Sequence, residues 1–118
     1  MPAAGLPIAE SALRALDARK ILQAYHADFL FEDIPSHQEI SDRDELLAYF
    51  ESLFSLPMVA FDDIVIYEAA DFAAIEWTWS GVNRSSGAPY RIRGASIIEL
   101  REGLIAVEKL FYDPRAAA

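Results

Sequence analysis

From Phe72 to Leu100 apolar and polar residues alternate with a period near two, which predicts strands buried on one face. Trp77 and Trp79 alternate with Glu76, Thr78 and Ser80, so both indoles point to one side. On the next stretch Tyr90, Ile92, Ser96 and Ile98 share a face opposite Arg91, Arg93 and Glu99. Four strands are predicted in this half, over 61–68, 72–80, 90–100 and 104–113, the last pair joined by the turn Arg101-Glu102-Gly103. The first half has the helical period instead. Leu46, Leu47, Phe50, Leu53 and Phe54 form one stripe, opened by a capping box at Ser41 to Asp44 and closed by Pro57. Two shorter helices are predicted over 10–16 and 17–27, with Asp17 capping the second. Phe29 to Asp33 predicts a short strand that Ile34-Pro35 stops, with a loop from Pro35 to Ile40. The order α-α-β-α-β-β-β-β is that of an α+β domain, with helices on one side of a curved antiparallel sheet. Its aromatic inner face suits a pocket for a small hydrophobic ligand.

Length and composition narrow the picture. The 118 residues have room for one domain, with an ordered core over about 9–113 and frayed ends at Met1 to Gly5 and Arg115 to Ala118. A hydrophobic share of 53% is high for so short a chain, which implies a lined cavity together with a homodimer face. The net charge of −9, with ten scattered basic residues, excludes nucleic acid and an anionic membrane surface as partners. The absence of cysteine excludes disulfides, a thiol nucleophile and thiolate metal sites. No leader pattern and no apolar run of membrane length is present, so a cytoplasmic location is expected.

Several residues could carry chemistry. Asp33 follows Phe29 and Phe31 at period two, so it shares their inward face and is a candidate general base. Its ordinary alternative is a strand-end residue satisfying the turn before Pro35. Glu108 enters the cavity with Leu110 and Tyr112 in one phase of the last strand. In the other phase Val107, Lys109 and Phe111 point inward and Glu108 is a surface residue paired with a base. Ser96 could donate a hydrogen bond to a ligand carbonyl, although no base stands near it in sequence to make it a nucleophile. Trp77, Trp79, Tyr90 and Tyr112 are candidate stacking surfaces, the plain alternative being core filling. His37 lies in the loop after Asp33, where it is either exposed or a lid residue. His26 falls at the end of the second predicted helix, and the two histidines have no metal-ligand spacing, so no metal is expected.

Taken together, the strings YHADFLFED from Tyr25 to Asp33, RDELLAYF from Arg43 to Phe50 and EWTWSG from Glu76 to Gly81 resemble the nuclear-transport-factor-2-like superfamily. RGASIIEL from Arg93 to Leu100, then Gly103 to Ile105 and Phe111 to Asp113, extend the likeness over roughly Ala9 to Asp113. The branch is the SnoaL-like and ketosteroid-isomerase-like one. The resemblance implies a cystatin-like cone of sheet closed by three N-terminal helices, around a ligand cavity and often in a homodimer. Asp33 matches the base of the isomerase-like branch. The position of that branch's protonated aspartate is Ser96 here, its tyrosine's place falls near Ala9, and the acid of the cyclases matches Leu110. At Ala9, Ser96 and Leu110 this chain departs from the family pattern. The resemblance implies a cofactor-free isomerase, dehydratase, cyclase or hydrolase with Asp33 as base. Ser96 or Tyr112 holding a ligand oxygen, and Glu108 as a second candidate, rest on the strand pattern above. Phe29, Phe31, His37, Trp77, Trp79, Tyr90, Ile98 and Leu110 would shape the ligand site. The alternative is a non-catalytic homodimeric binding or interaction domain.

Overall fold

The computed structural model describes residues 4–117. The element order is α1 (Gly5–Ala15), α2 (Ala18–Leu22), β1 (Tyr25–Asp33), β2 (Gln38–Ile40) and α3 (Arg43–Phe54), then four long strands. These are β3 (Ala60–Glu68), β4 (Phe72–Val82), β5 (Pro89–Arg101) and β6 (Leu104–Tyr112), followed by a 3-10 turn at Pro114–Ala117. One six-stranded sheet runs in the order β2-β1-β6-β5-β4-β3, with the helices against its concave face.

Two features of the expected sheet are corrected. First, β2 is an additional strand inside the expected loop, pairing antiparallel with β1 through Phe31↔Ile40 and Asp33↔Gln38. Three residues on a sheet edge carry too little periodicity to announce themselves. Second, β1 and β6 run parallel, so the sheet is mixed rather than antiparallel. The second helix also stops at Leu22, short of the expected Ala27, and Tyr25 to Ala27 belong to β1. Tertiary pairing overrides local helical preference here. The Ala24 carbonyl accepts from the Ile105 N–H at 2.9 Å, and Tyr25 pairs with Ile105. A register shift between Tyr25 and Leu30 then takes up the extra residues of β1.

Helix capping follows the sequence in kind. Asp17 accepts from the Lys20 N–H at 3.0 Å at the start of α2. Asp42, not Ser41, caps α3, accepting from the Glu45 N–H at 3.0 Å. Of the expected frayed ends, Met1 to Ala3 and Ala118 lie outside the described residues. Gly5 is buried at the head of α1 and donates to the Gly103 carbonyl at 2.9 Å. That packing needs a glycine, because a Cβ there would lie 2.7 Å from the Ala24 carbonyl oxygen.

The core lies between helices and sheet. Leu6, Ala9 and Ala12 of α1, and Leu46 and Phe50 of α3, meet Phe31, Ile75, Ile98 and Ile105 of the strands. No helix among the described residues is long and apolar enough to cross a membrane.

Candidate functional site

Helices and sheet do not close completely, and a cavity of about 800 Å³ remains between them. This is within the size of small-molecule pockets, roughly 300–1,000 Å³. Its wall is mostly aromatic and aliphatic, and its two buried acids each centre a polar cluster, on adjacent strands.

The parallel β1–β6 pair creates both clusters. Asp33 is opposite Leu110 and Phe31 is opposite Glu108, so the two acids sit on neighbouring strands two residues out of step. Strand spacing and rise put their backbones about 8 Å apart. Within β6 the phase left open by periodicity is decided: Glu108 and Leu110 are buried, Tyr112 is half-buried, and Phe111 is exposed. Glu108 is thus an inward residue with no basic partner, not a surface member of an ion pair.

Asp33 is only 3% exposed. Tyr49 of α3 donates to its Oδ2 at 2.6 Å, and Tyr112 of β6 straddles the carboxylate at 2.8 and 3.0 Å. The Ser36 N–H adds a longer contact at 3.3 Å, so Asp33 both faces the cavity and ties the turn before Ser36. Burial first, and then the Asp33 carboxylate, raise both phenols well above their ordinary range. They are fixed as hydrogen-bond donors.

Glu108 forms the second cluster. Tyr25 donates to its Oε1, and Ser96 hydrogen-bonds to the same carboxyl group. Trp77 Nε1 donates to Ser96 Oγ at 3.2 Å. Burial raises the Glu108 pKa despite the opposing effect of the Tyr25 and Ser96 hydrogen bonds. Burial thus favours the neutral form of Glu108, and Ser96 holds the carboxyl group from one strand away. The Tyr25 phenol is raised as well, by burial first and by Glu108 next.

A stability measurement checks this assignment. Above the ordinary glutamate value of 4.5 the unfolded chain releases a proton that folded Glu108 retains. Wild-type stability relative to Glu108→Gln is then greatest below that pH and declines as pH rises towards the folded pKa. Urea midpoints for both proteins across the acid-to-neutral range read the difference, and a constant difference would contradict a raised Glu108.

The other expected site residues are divided. Phe31, Trp77, Trp79 and Leu110 line the cavity, with His37 exposed at its mouth. Phe29, Tyr90 and Ile98 lie off the wall. Phe29 packs edge-on to Tyr25, Ile98 is buried opposite Glu108 in the sheet, and Tyr90 packs edge-on to Trp79. His26 belongs to β1 rather than a helix end, with Nε2 at 2.8 Å from Glu102 Oε1. Among the described residues no cluster of three His, Cys, Asp or Glu is arranged to hold a metal.

Tyr25 and Tyr49 were not singled out by the sequence, yet each holds one of the acids. Tyr49 did leave a signal, since it stands three residues after Leu46 on the buried side of α3. Trp77 reaches its position because β5 has no side chain beneath it. A Cβ on Gly94 would come within 2.6 Å of Trp77 Cζ3 and 3.0 Å of the Phe111 carbonyl oxygen.

A helical face closed over a six-stranded mixed sheet, with polar groups inside the cone, defines the nuclear-transport-factor-2-like fold. Three solved structures share it. A Burkholderia thailandensis protein described as nuclear-transport-factor-2-like is 17% identical, with a TM-score of 0.85 over 98% of this chain and 92% of that one. A Catenulispora acidiphila protein with a ketosteroid-isomerase-like fold, crystallised with trimethylamine, is 14% identical, with a TM-score of 0.84 over 99% and 91%. A Pseudomonas putida protein provisionally named a polyketide cyclase is 20% identical, with a TM-score of 0.81 over 98% and 95%. No curated protein matches the chain. The profile of the SnoaL-like domain matches residues 9–108, and the chain belongs to that family.

Proposed function

We propose that this SnoaL-like protein encloses an apolar, oxygenated small molecule and moves a proton on it by side-chain acid/base chemistry. Asp33 is the base and Glu108 the acid, in an isomerisation, dehydration, cyclisation or hydrolysis. One observation carries the reading. Two buried carboxyl groups from adjacent strands face one largely apolar cavity, each oriented by a tyrosine from another part of the chain. Burial separates their roles, because it raises the Glu108 pKa while both Asp33 oxygens act as acceptors. A relative holding a small amine and another provisionally named a polyketide cyclase support a small-molecule ligand.

A thermal-shift panel of sterols, cyclic enones, epoxides, lactones and aromatic polyketide-like compounds finds the ligand class. A ligand at ~100 times its Kd adds about 2.7 kcal/mol to stability. Turnover of the stabilising compounds is then compared for wild type, Asp33→Asn and Glu108→Gln. Equal turnover by all three removes both assignments.

The second reading is a non-catalytic homodimeric binding or interaction domain. It is favoured by the convex face of the sheet, where Val65, Tyr67, Phe72, Ile97 and Phe111 are exposed. Their strands are neighbours, with Tyr67 opposite Ala74, Ala74 opposite Ile97, and Phe111 opposite Ala95. Pairing two such faces in a homodimer removes this apolar surface from water, and it is compatible with either reading. Sedimentation should give twice the chain mass for wild type and the single-chain mass for Ile97→Lys. A monomeric wild type refutes the dimer.

A further inference from the structure

A carboxylate withdrawn from water needs a cation, a proton or a full set of donors. Asp33 and Glu108 are inside this cavity, and Glu39 and Glu45 stand at its mouth. Among the described residues lining it none is lysine or arginine, and His37 is the one group there able to carry positive charge. The ion pairs found elsewhere, Arg14–Glu10, Arg91–Asp63 and Arg115–Asp113, are on the surface, and His26 is paired with Glu102. The groups acting on Tyr25, Tyr49, Glu108 and Tyr112 are hydroxyls and carboxyls together with burial, with no contribution from a protein cation.

Burial raises the Glu108 pKa and so favours its neutral form. Asp33 is placed differently, because both its oxygens accept from phenols whose only hydrogen points at them. Asp33 therefore faces the cavity with both oxygens accepting and with no lysine or arginine among the described lining residues. The rings around it are suited to supply the rest of a cation site. Tyr112, which bonds Asp33, has its centroid 6.1 Å from that of Trp77 and 5.8 Å from that of Trp79. Tyr49, the other donor, packs 4.9 Å from Phe31. Aromatic faces beside a carboxylate attract alkylated ammonium groups, whose methyl surface is apolar and whose charge is diffuse.

We propose that the ligand of this cavity carries an alkylated ammonium group, tertiary or quaternary, that sits against Trp77, Trp79 and Tyr112 beside Asp33. The apolar, oxygenated part of the molecule then extends towards Glu108. This inference rests on the reading of the cavity as the ligand site, and it excludes anionic ligands such as free carboxylates and phosphates.

The test is a comparison of two isosteres on the full-length wild-type protein, choline and 3,3-dimethyl-1-butanol, by tryptophan fluorescence. They have the same shape and differ in the charge at the branched centre. Choline is expected to bind at least ~10-fold more tightly, a difference of about 1.4 kcal/mol. In Asp33→Asn the two affinities should converge, with thermal unfolding of the variant showing that it is folded. Equal or tighter binding of the neutral alcohol to wild type overturns the proposal, as does failure of both to bind. A preference for the neutral isostere leaves the acid/base roles standing, since those are read by turnover and not by this titration.

Discussion

Asp33→Asn should reduce turnover at least ~100-fold on any substrate that the ligand panel yields, the usual lower bound for loss of a positioned general base. Asparagine has nearly the same shape, and its oxygen can still accept from the Ser36 N–H. The hydroxyls of Tyr49 and Tyr112 can rotate to accept from the new amide, so the local packing survives. What the variant loses is the basic oxygen that faces the cavity. The effect belongs in kcat rather than in ligand affinity, except for the cationic ligands considered above. Steady-state rates with wild type and variant, alongside a thermal unfolding scan of each, separate chemistry from folding. Full turnover by a folded Asp33→Asn protein would remove Asp33 from the mechanism.

The largest effect on stability should come from Phe31→Ala. Phe31 has no exposed surface and its ring is edge-on to Tyr25, Tyr49 and Phe50, at 6.3, 4.9 and 5.7 Å between centroids. Truncating a buried phenylalanine costs about 3–5 kcal/mol, from lost transfer energy and the void left behind. Here the neighbours have further duties, since Tyr25 holds Glu108 and Tyr49 holds Asp33. One ring thus keeps both acids in register. Urea denaturation should show the full loss for Phe31→Ala and a much smaller one for Phe31→Leu. A loss under 1 kcal/mol for the alanine variant would mean that the ring is not a structural member of the wall.

Much of this arrangement was legible in the residues. The stripe from Leu46 to Phe54 and the cap at Asp17 marked helices, because their signals are local, while the cap of α3 fell one residue later than the box expected at Ser41. The alternation of Trp77 and Trp79 was equally local, and both indoles do face the cavity. Pairing was not legible. Periodicity tells which face of a strand is buried but is silent on its neighbour, so the parallel contact of β1 with β6 and the three-residue β2 went unseen. That gap decided the site. The phase of Glu108 follows from its place opposite Phe31, and the support it receives from Tyr25 spans 83 positions of sequence. Tyr25 itself was hidden by helical residues before it, and only its pairing with Ile105 makes it a strand residue.

Gly94 makes the size of the cavity depend on a residue that is not part of its wall. The indole of Trp77 rests where a side chain on β5 would otherwise stand, and the cavity begins above it. An alanine at 94 would lift that ring into the ligand's space and weaken its bond to Ser96, the residue that steadies Glu108. Descendants of this chain could therefore change which molecules fit, and how firmly the acid is held, while every acid, phenol and indole of the site stayed as it is.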